Sequence, residues 1–134
     1  EGLNVGYRYF TSCDEQPVLF PLGSGVSYTS FDYGEVRLSA VKSDLTEPIT
    51  VTVPVSNSGA VAGAEVVQVY VRQRGASVYR PDRELKGFAK LFLQPGETGE
   101  AVISLDRRAF SFWDTQNASK ARTLNTKFRR KCVP

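Results

Sequence analysis

The sequence contains no histidine and no methionine, and among its 134 residues only two are cysteine and one is tryptophan. Without histidine there is no Ser-His-Asp triad and no Cys-His pair for nucleophilic catalysis. Without histidine or a CxxC pair, the three or four converging ligands of a zinc or iron site are not available, so no metal and no cofactor is expected. No apolar run approaches the roughly 18 residues that a membrane-spanning helix needs, so no membrane partner is expected either. The opening EGLNVGYRYF lacks a basic stretch followed by an apolar one, and the sequence reads as a piece cut or processed from a longer chain. Internal repeats, low-complexity blocks and amphipathic helical periodicity are also missing.

What is present is ordinary for a globular domain: 41% hydrophobic and 23% charged residues. A chain of this length buries roughly 65–70% of its unfolded surface in one core. The formal charge of +3 is unevenly spread. Residues 1–114 hold 11 Lys+Arg against 14 Asp+Glu, whereas residues 115–134 hold six Lys+Arg and no acid. Such a tail attracts polyanions by charge alone. With Phe128 its only aromatic and no recognition motif, it reads as a solvated terminus, and no specific nucleic acid partner is expected.

Alternation of period two runs through the chain. In Ile49-Thr-Val-Thr-Val-Pro-Val55 the apolar residues share one face and the threonines the other, the pattern of a half-buried strand. Pro54 donates nothing to a ladder, which places its strand at an edge or at a bulge. Asn57-Ser58-Gly59 reads as a turn, followed by strands over Glu65–Val71, Leu85–Leu93 and Glu100–Leu105, with Gln94–Glu97 as a second turn. Phe31–Val41 gives an earlier strand and Phe110–Trp113 starts a later one. Short strands, Pro/Gly turns and no helix predict an all-β antiparallel sandwich.

Chemistry-bearing constellations are few. The carboxylate pairs Asp14/Glu15 and Asp82/Glu84 lie in polar loops beside Arg or Lys and read as solvated surface acids. Asn117-Ala118-Ser119 is an N-glycosylation sequon. Cys13 and Cys132 are compatible with one bridge or with two free thiols. The glycines of Leu22-Gly-Ser-Gly25 lead into a strand and match no phosphate-binding pattern.

Five blocks carry a resemblance in order across residues 1–114: EGLNVGYRYF, FPLGSGVSYTSFDY, VSNSGAVAGAEVVQVYV, YRPDRELKGFAKLFLQPGET and SLDRRAFSFWD. Together they resemble the C-terminal region of glycoside hydrolase family 3, the β-glucosidases and β-xylosidases. The resemblance implies a fibronectin type III-like (immunoglobulin-like) sandwich over 17–114, preceded by the end of an α/β domain over 1–16 and followed by a basic, irregular tail over 115–134. Both catalytic carboxylates of the family lie upstream of the segment matching Glu1, so the chain is expected not to hydrolyse glycosides. The family's FPFGHGLSYT segment runs from the interdomain linker into the first strand near the active-site mouth. Here it carries Leu22 for the second Phe and Ser24 for the His.

The resemblance makes Leu22, Gly23, Ser24, Gly25 and Tyr28 an interdomain or substrate-side loop. In it, Gly23 and Gly25 allow a sharp turn and close approach, and Tyr28 and Phe31 anchor the strand in the core. In the matching loop before LKGF, Tyr79, Arg80 and Arg83 face the neighbouring domain, the arginines offering guanidinium forks to carboxylates. The family's final W-x-V-x-P-G-x-Y-x-V-x-V-G alternation is absent, which predicts an altered or missing last strand. Either a replacement strand forms, over Thr126–Cys132, or the end is simply changed; a Cys13–Cys132 disulfide is expected to hold it. Two functions follow as expectations. One is an accessory domain of a secreted β-glucosidase-like enzyme, partnered in cis by its catalytic domains in polysaccharide degradation. The other is a free-standing module that binds carbohydrate or polyanions.

Overall fold

The computed structural model describes residues 2–12, 18–20, 24–40, 43–76, 78–114, 119–122 and 126–129; for Ser12, Asp114 and the last two stretches it describes the backbone alone. Among the described residues a short helix, α1 (Tyr7–Ser12), precedes nine strands: β1 (Phe31–Tyr33), β2 (Arg37–Leu38), β3 (Ile49–Asn57), β4 (Gly63–Gln73), β5 (Glu84–Leu93), β6 (Thr98–Leu105), β7 (Ser111–Asp114), β8 (Ser119–Arg122) and β9 (Thr126–Arg129). All strand pairs are antiparallel. One sheet has β3 at its centre, with β6 along one side and β1 and β2 end to end along the other; the second runs β5-β4-β9, and β7 pairs with β8 as a separate hairpin. The all-β expectation holds, and the helix in the opening segment is an addition to it.

Period-two patterning places the core. Burial alternates strictly along β3, with Ile49, Val51, Val53, Val55 and Asn57 inside. From β6 come Ala101, Ile103 and Leu105, and opposite them Val67, Val69 and Val71 of β4 and Leu93 of β5. Phe110, 2% exposed, joins the core from a 3₁₀ turn over Arg107–Phe110, in which Ala109 N donates to the capping Asp106 Oδ1. Each such side chain contributes roughly 1.5–3 kcal/mol by leaving water. Leu45 joins the core from a non-strand position at φ +63°, a left-handed conformation that few side chains adopt. Hydrogen bonds from Leu45 N to Ser43 Oγ and from Thr46 N to Asp44 Oδ1 hold that turn.

Pro54 lies in a central strand, not an edge. It sits opposite Glu100 on β6 with no break in register. The interruption falls on its other side, where Gly34 N donates to Pro54 O but receives nothing back, because proline has no N–H. The register there steps by one residue between Tyr33↔Val55 and Arg37↔Thr52. The single strand expected over Phe31–Val41 is therefore two short ones. The strand expected from Phe110 begins at Ser111, since Phe110 closes the 3₁₀ turn.

Within the tail, Thr126–Arg129 pairs with Tyr70–Gln73 of β4, and Ser119–Arg122 pairs with β7. The backbone thus builds strands where the sequence shows no alternation. Cys13, Cys132, Asn117, Leu22, Gly23, Asp14 and Glu15 lie outside the described residues.

The two sheets close on each other at β5 and β6, and glycine allows it. A Cβ at Gly87 would stand 2.6 Å from Ile103 Cγ2 and 3.2 Å from Leu105 Cδ2. Gly87→Ala is expected to push β5 from β6 and destabilise the domain by about 1–3 kcal/mol. Urea unfolding measures it, and an unchanged midpoint would count against this packing.

Candidate functional site

The segment before the sandwich is fastened to the start of β5. Gly6, at φ +62°, turns the chain into α1. The hydroxyl of Tyr7 then accepts a 2.7 Å hydrogen bond from Leu85 N, and its ring meets Tyr70 edge-on at 5.8 Å. Burial raises the Tyr70 hydroxyl above its ordinary value, and Tyr7 adds to this while Arg83 opposes it. Nearby, Asn4 Nδ2 donates to Tyr79 Oη at 2.6 Å.

Glu84, the first residue of β5, gathers the charges. Its Oε1 accepts from Arg80 Nη2 at 3.0 Å and its Oε2 lies 2.6 Å from Lys86 Nζ. Lys86 is the extra residue where the β4–β5 register shifts between Val69 and Tyr70, and from there it reaches the same carboxylate as Arg80. The three side chains are only 10–18% exposed. Burial pushes the Glu84 carboxyl upward, but Lys86 and then Arg80 outweigh it, and the net result lies below the ordinary 4.5. The Arg80 guanidinium also stacks 4.5 Å from the centre of the Phe112 ring. Around this cluster opens a cleft of about 500 Å³, lined by Leu3, Tyr79, Arg80, Lys86, Phe112 and Trp113 among others. Tyr79 and Trp113 stay 62% and 59% exposed.

Several expectations are corrected by this geometry. Glu84 is not a solvated surface acid; two cations within reach make its burial tolerable. Asp82, the other member of that pair, binds Arg72 at 2.8 Å. Arg80 gives Nη2 to Glu84, while its buried Nη1 has no hydrogen-bond partner among the described residues. Arg83 is half-buried.

In the glycine loop, Ser24 and Gly25 are exposed, and Tyr28 is 95% exposed rather than anchored in the core; Phe31 does pack there. Gly25 has open space around it. Close approach is made instead by the glycines that receive this segment. A Cβ at Gly59 would lie 2.1 Å from Thr29 Oγ1, and one at Gly63 would lie 2.7 Å from Thr29 Cγ2. Of the loop and pre-β5 residues, Tyr79 and Arg80 come together in the cleft; Ser24, Gly25 and Tyr28 do not line it.

Asn57 was missed as a structural centre. It is fully buried, and its Oδ1 accepts from Thr29 Oγ1 at 2.5 Å and Gly59 N at 3.1 Å. Its Nδ2 donates to Val61 O at 2.8 Å and Leu93 O at 3.0 Å. The signal was in the alternation, since 57 continues the inward phase of 49, 51, 53 and 55. Among the described residues no group of three His, Cys, Asp or Glu is placed to hold a metal, and no helix is long and apolar enough to cross a membrane.

Two antiparallel sheets closing on one core make a β-sandwich, and a fibronectin type III-like domain model matches residues 65–127. The chain is 48% identical over 118 residues, 87% of its length, to thermostable β-glucosidase B of Acetivibrio thermocellus. Among solved structures it superposes on DesR, a β-glucosidase from Streptomyces venezuelae, with a TM-score of 0.81 at 36% identity over 91% of the chain. A family 3 β-glucosidase from Bifidobacterium adolescentis gives 0.79 at 40% identity over 89%. The chain spans 15% of the first, 15% of the second and 17% of the third. It belongs with the fibronectin type III-like domains of the family 3 glycoside hydrolases. What it shares with these enzymes is that domain and not the catalytic ones.

Proposed function

We propose that this domain is a non-catalytic scaffold of a secreted, β-glucosidase-like family 3 enzyme, docked in cis on its catalytic domains and serving cellulose or β-glucan breakdown. The distribution of exposed apolar side chains carries the reading. Of sixteen large hydrophobic residues left exposed among the described ones, nine fall between Leu3 and Tyr28, including Leu19, Phe20, Val26 and Tyr28 at 80–98%. Nine exposed apolar side chains on one short stretch of chain support an interaction surface there. The test uses the catalytic portion of the Acetivibrio enzyme lacking its matching C-terminal stretch. The chain should bind it and raise its melting temperature, and Val26→Ser with Tyr28→Ser should weaken binding tenfold or more, about 1.4 kcal/mol. Alone, the chain should leave an aryl β-glucoside intact. Failure to associate, or turnover by the isolated chain, overturns the reading. Export, the Cys13–Cys132 bridge and a glycan on Asn117 belong to the same proposal, and intact mass before and after reduction reads the bridge.

A second reading, a carbohydrate-binding module, is favoured by one observation: Tyr79 and Trp113 stand exposed in the same cleft. Retention on insoluble β-glucan that disappears in Trp113→Ala would support it. Passage of the unaltered chain without delay would remove it.

A further inference from the structure

The edges of the two sheets are unequally guarded. On the β3 sheet, β1 and β2 are three and two residues long. On the other side, β5 carries Lys86 and Lys90 and closes against β6 at Gly87. Short strands, lysines and covered edges are the usual protections against pairing with another chain.

β4 differs. Along one side it pairs with β5 from Gly63 to Val71, but along the other β9 covers only Tyr70–Gln73. Among the described residues no strand pairs with Gly63–Val69 on that side. The open stretch, GAEVVQV, contains no proline, no lysine or arginine, and one charge. That charge, Glu65, is held aside by the Tyr33 hydroxyl at 2.5 Å. Val67 and Val69 are already buried on the inner face, while Ala64 and the 40%-exposed Val66 face outward. A β-branched, nearly uncharged edge with its inner face in place is a template for strand addition.

We propose that this edge is a homodimer interface, in which Gly63–Val69 pairs antiparallel with Gly63–Val69 of a second copy. The strand is complementary to itself. With Val66 opposite its symmetry mate, the outward pairs are Val66–Val66 and Ala64–Gln68, and the inward ones are Glu65–Val67 and Gly63–Val69. No like charges stand opposite each other, and all seven open residues are used. Registers shifted by one set outward side chains against inward ones, and the pleat forbids them. The two β4 sheets become one continuous sheet across a two-fold axis. The inference is independent of any catalytic partner, since it uses none of the Leu3–Tyr28 surface.

Sedimentation equilibrium of the full chain, from micromolar to near-millimolar protein, tests it. A reversible dimer is expected, with amide exchange slowing over Ala64–Val69 in step with dimer formation. Val66→Lys places two ammonium groups opposite each other and should weaken the dimer about tenfold or more. Val66→Glu should do the same, and mixing the two variants should restore pairing as a heterodimer, which a misfolded variant does not do. A monomer at every concentration overturns the proposal. So does a dimer indifferent to both substitutions, or full protection of these amides at the lowest concentration, which means that the edge is covered within one molecule.

Discussion

Replacing Asn57 by alanine is expected to destabilise the domain by about 3–5 kcal/mol, more than its place at the end of a strand suggests. The side chain makes four hydrogen bonds and has no exposure. Its amide is the donor for Leu93 O at the end of β5 and for Val61 O in the turn before β4, and alanine leaves both carbonyls without it. Each buried carbonyl or N–H so orphaned costs about 1–3 kcal/mol, and the losses do not add fully because the loops relax. The backbone of the same residue adds two contacts, accepting from Gly96 N and donating to Glu97 O, both at 2.9 Å. Asn57 therefore ties β3, the β3–β4 turn, the β5–β6 turn and the incoming Thr29 segment together. Asn57→Asp separates shape from donor chemistry: it keeps the size but turns an acceptor toward two carbonyls, and is expected to be at least as damaging. Urea unfolding at neutral pH measures both, and a loss below about 1 kcal/mol for alanine would refute this role.

How this residue was misread shows what local sequence carries. Asn-Ser-Gly is a turn signal by composition, and the turn does follow, but Asn57 itself belongs to β3. The strands of β3, β4, β5 and β6 were legible because alternation is local and survives any tertiary arrangement. The split between β1 and β2 was not, because it is caused by Pro54 acting across a ladder on Gly34, twenty residues away in sequence.

The glycines teach the same lesson. Those of the FPLGSGVSYT loop drew attention by clustering, whereas the spatial demand falls on Gly59 and Gly63, where Thr29 crosses them. In the tail, β9 has no alternation of its own; it falls within the replacement strand expected over Thr126–Cys132, and its pairing is supplied by the edge of β4. The cleft was half visible: Tyr79 and Arg80 were named from their loop, while Glu84, Lys86, Phe112 and Trp113 join them only through the fold.

The Glu84 cluster yields the second large effect, and pH reveals it without mutation. Glu84→Ala leaves Arg80 and Lys86 facing each other in a mostly enclosed site with no counter-charge. Breaking a buried pair costs about 3–5 kcal/mol; because these groups are 10–18% exposed, about 2–4 kcal/mol is expected. Arg80 keeps its contact with the Phe112 ring, and this limits the loss. The folded carboxyl lies below its ordinary 4.5, so between the folded and ordinary values the unfolded chain binds more protons than the folded one. The contribution of Glu84 is therefore complete above 4.5 and drains away as pH falls below it. With no histidine in the chain, nothing of that kind titrates between this range and neutrality. Stability measured by urea midpoint should accordingly be flat on the neutral side and decline in acid, and Glu84→Gln should be less stable at neutral pH but lose less on acidification. Parallel declines for the two proteins would show that the acid sensitivity arises elsewhere, and that the two cations do not hold this carboxylate in its charged form.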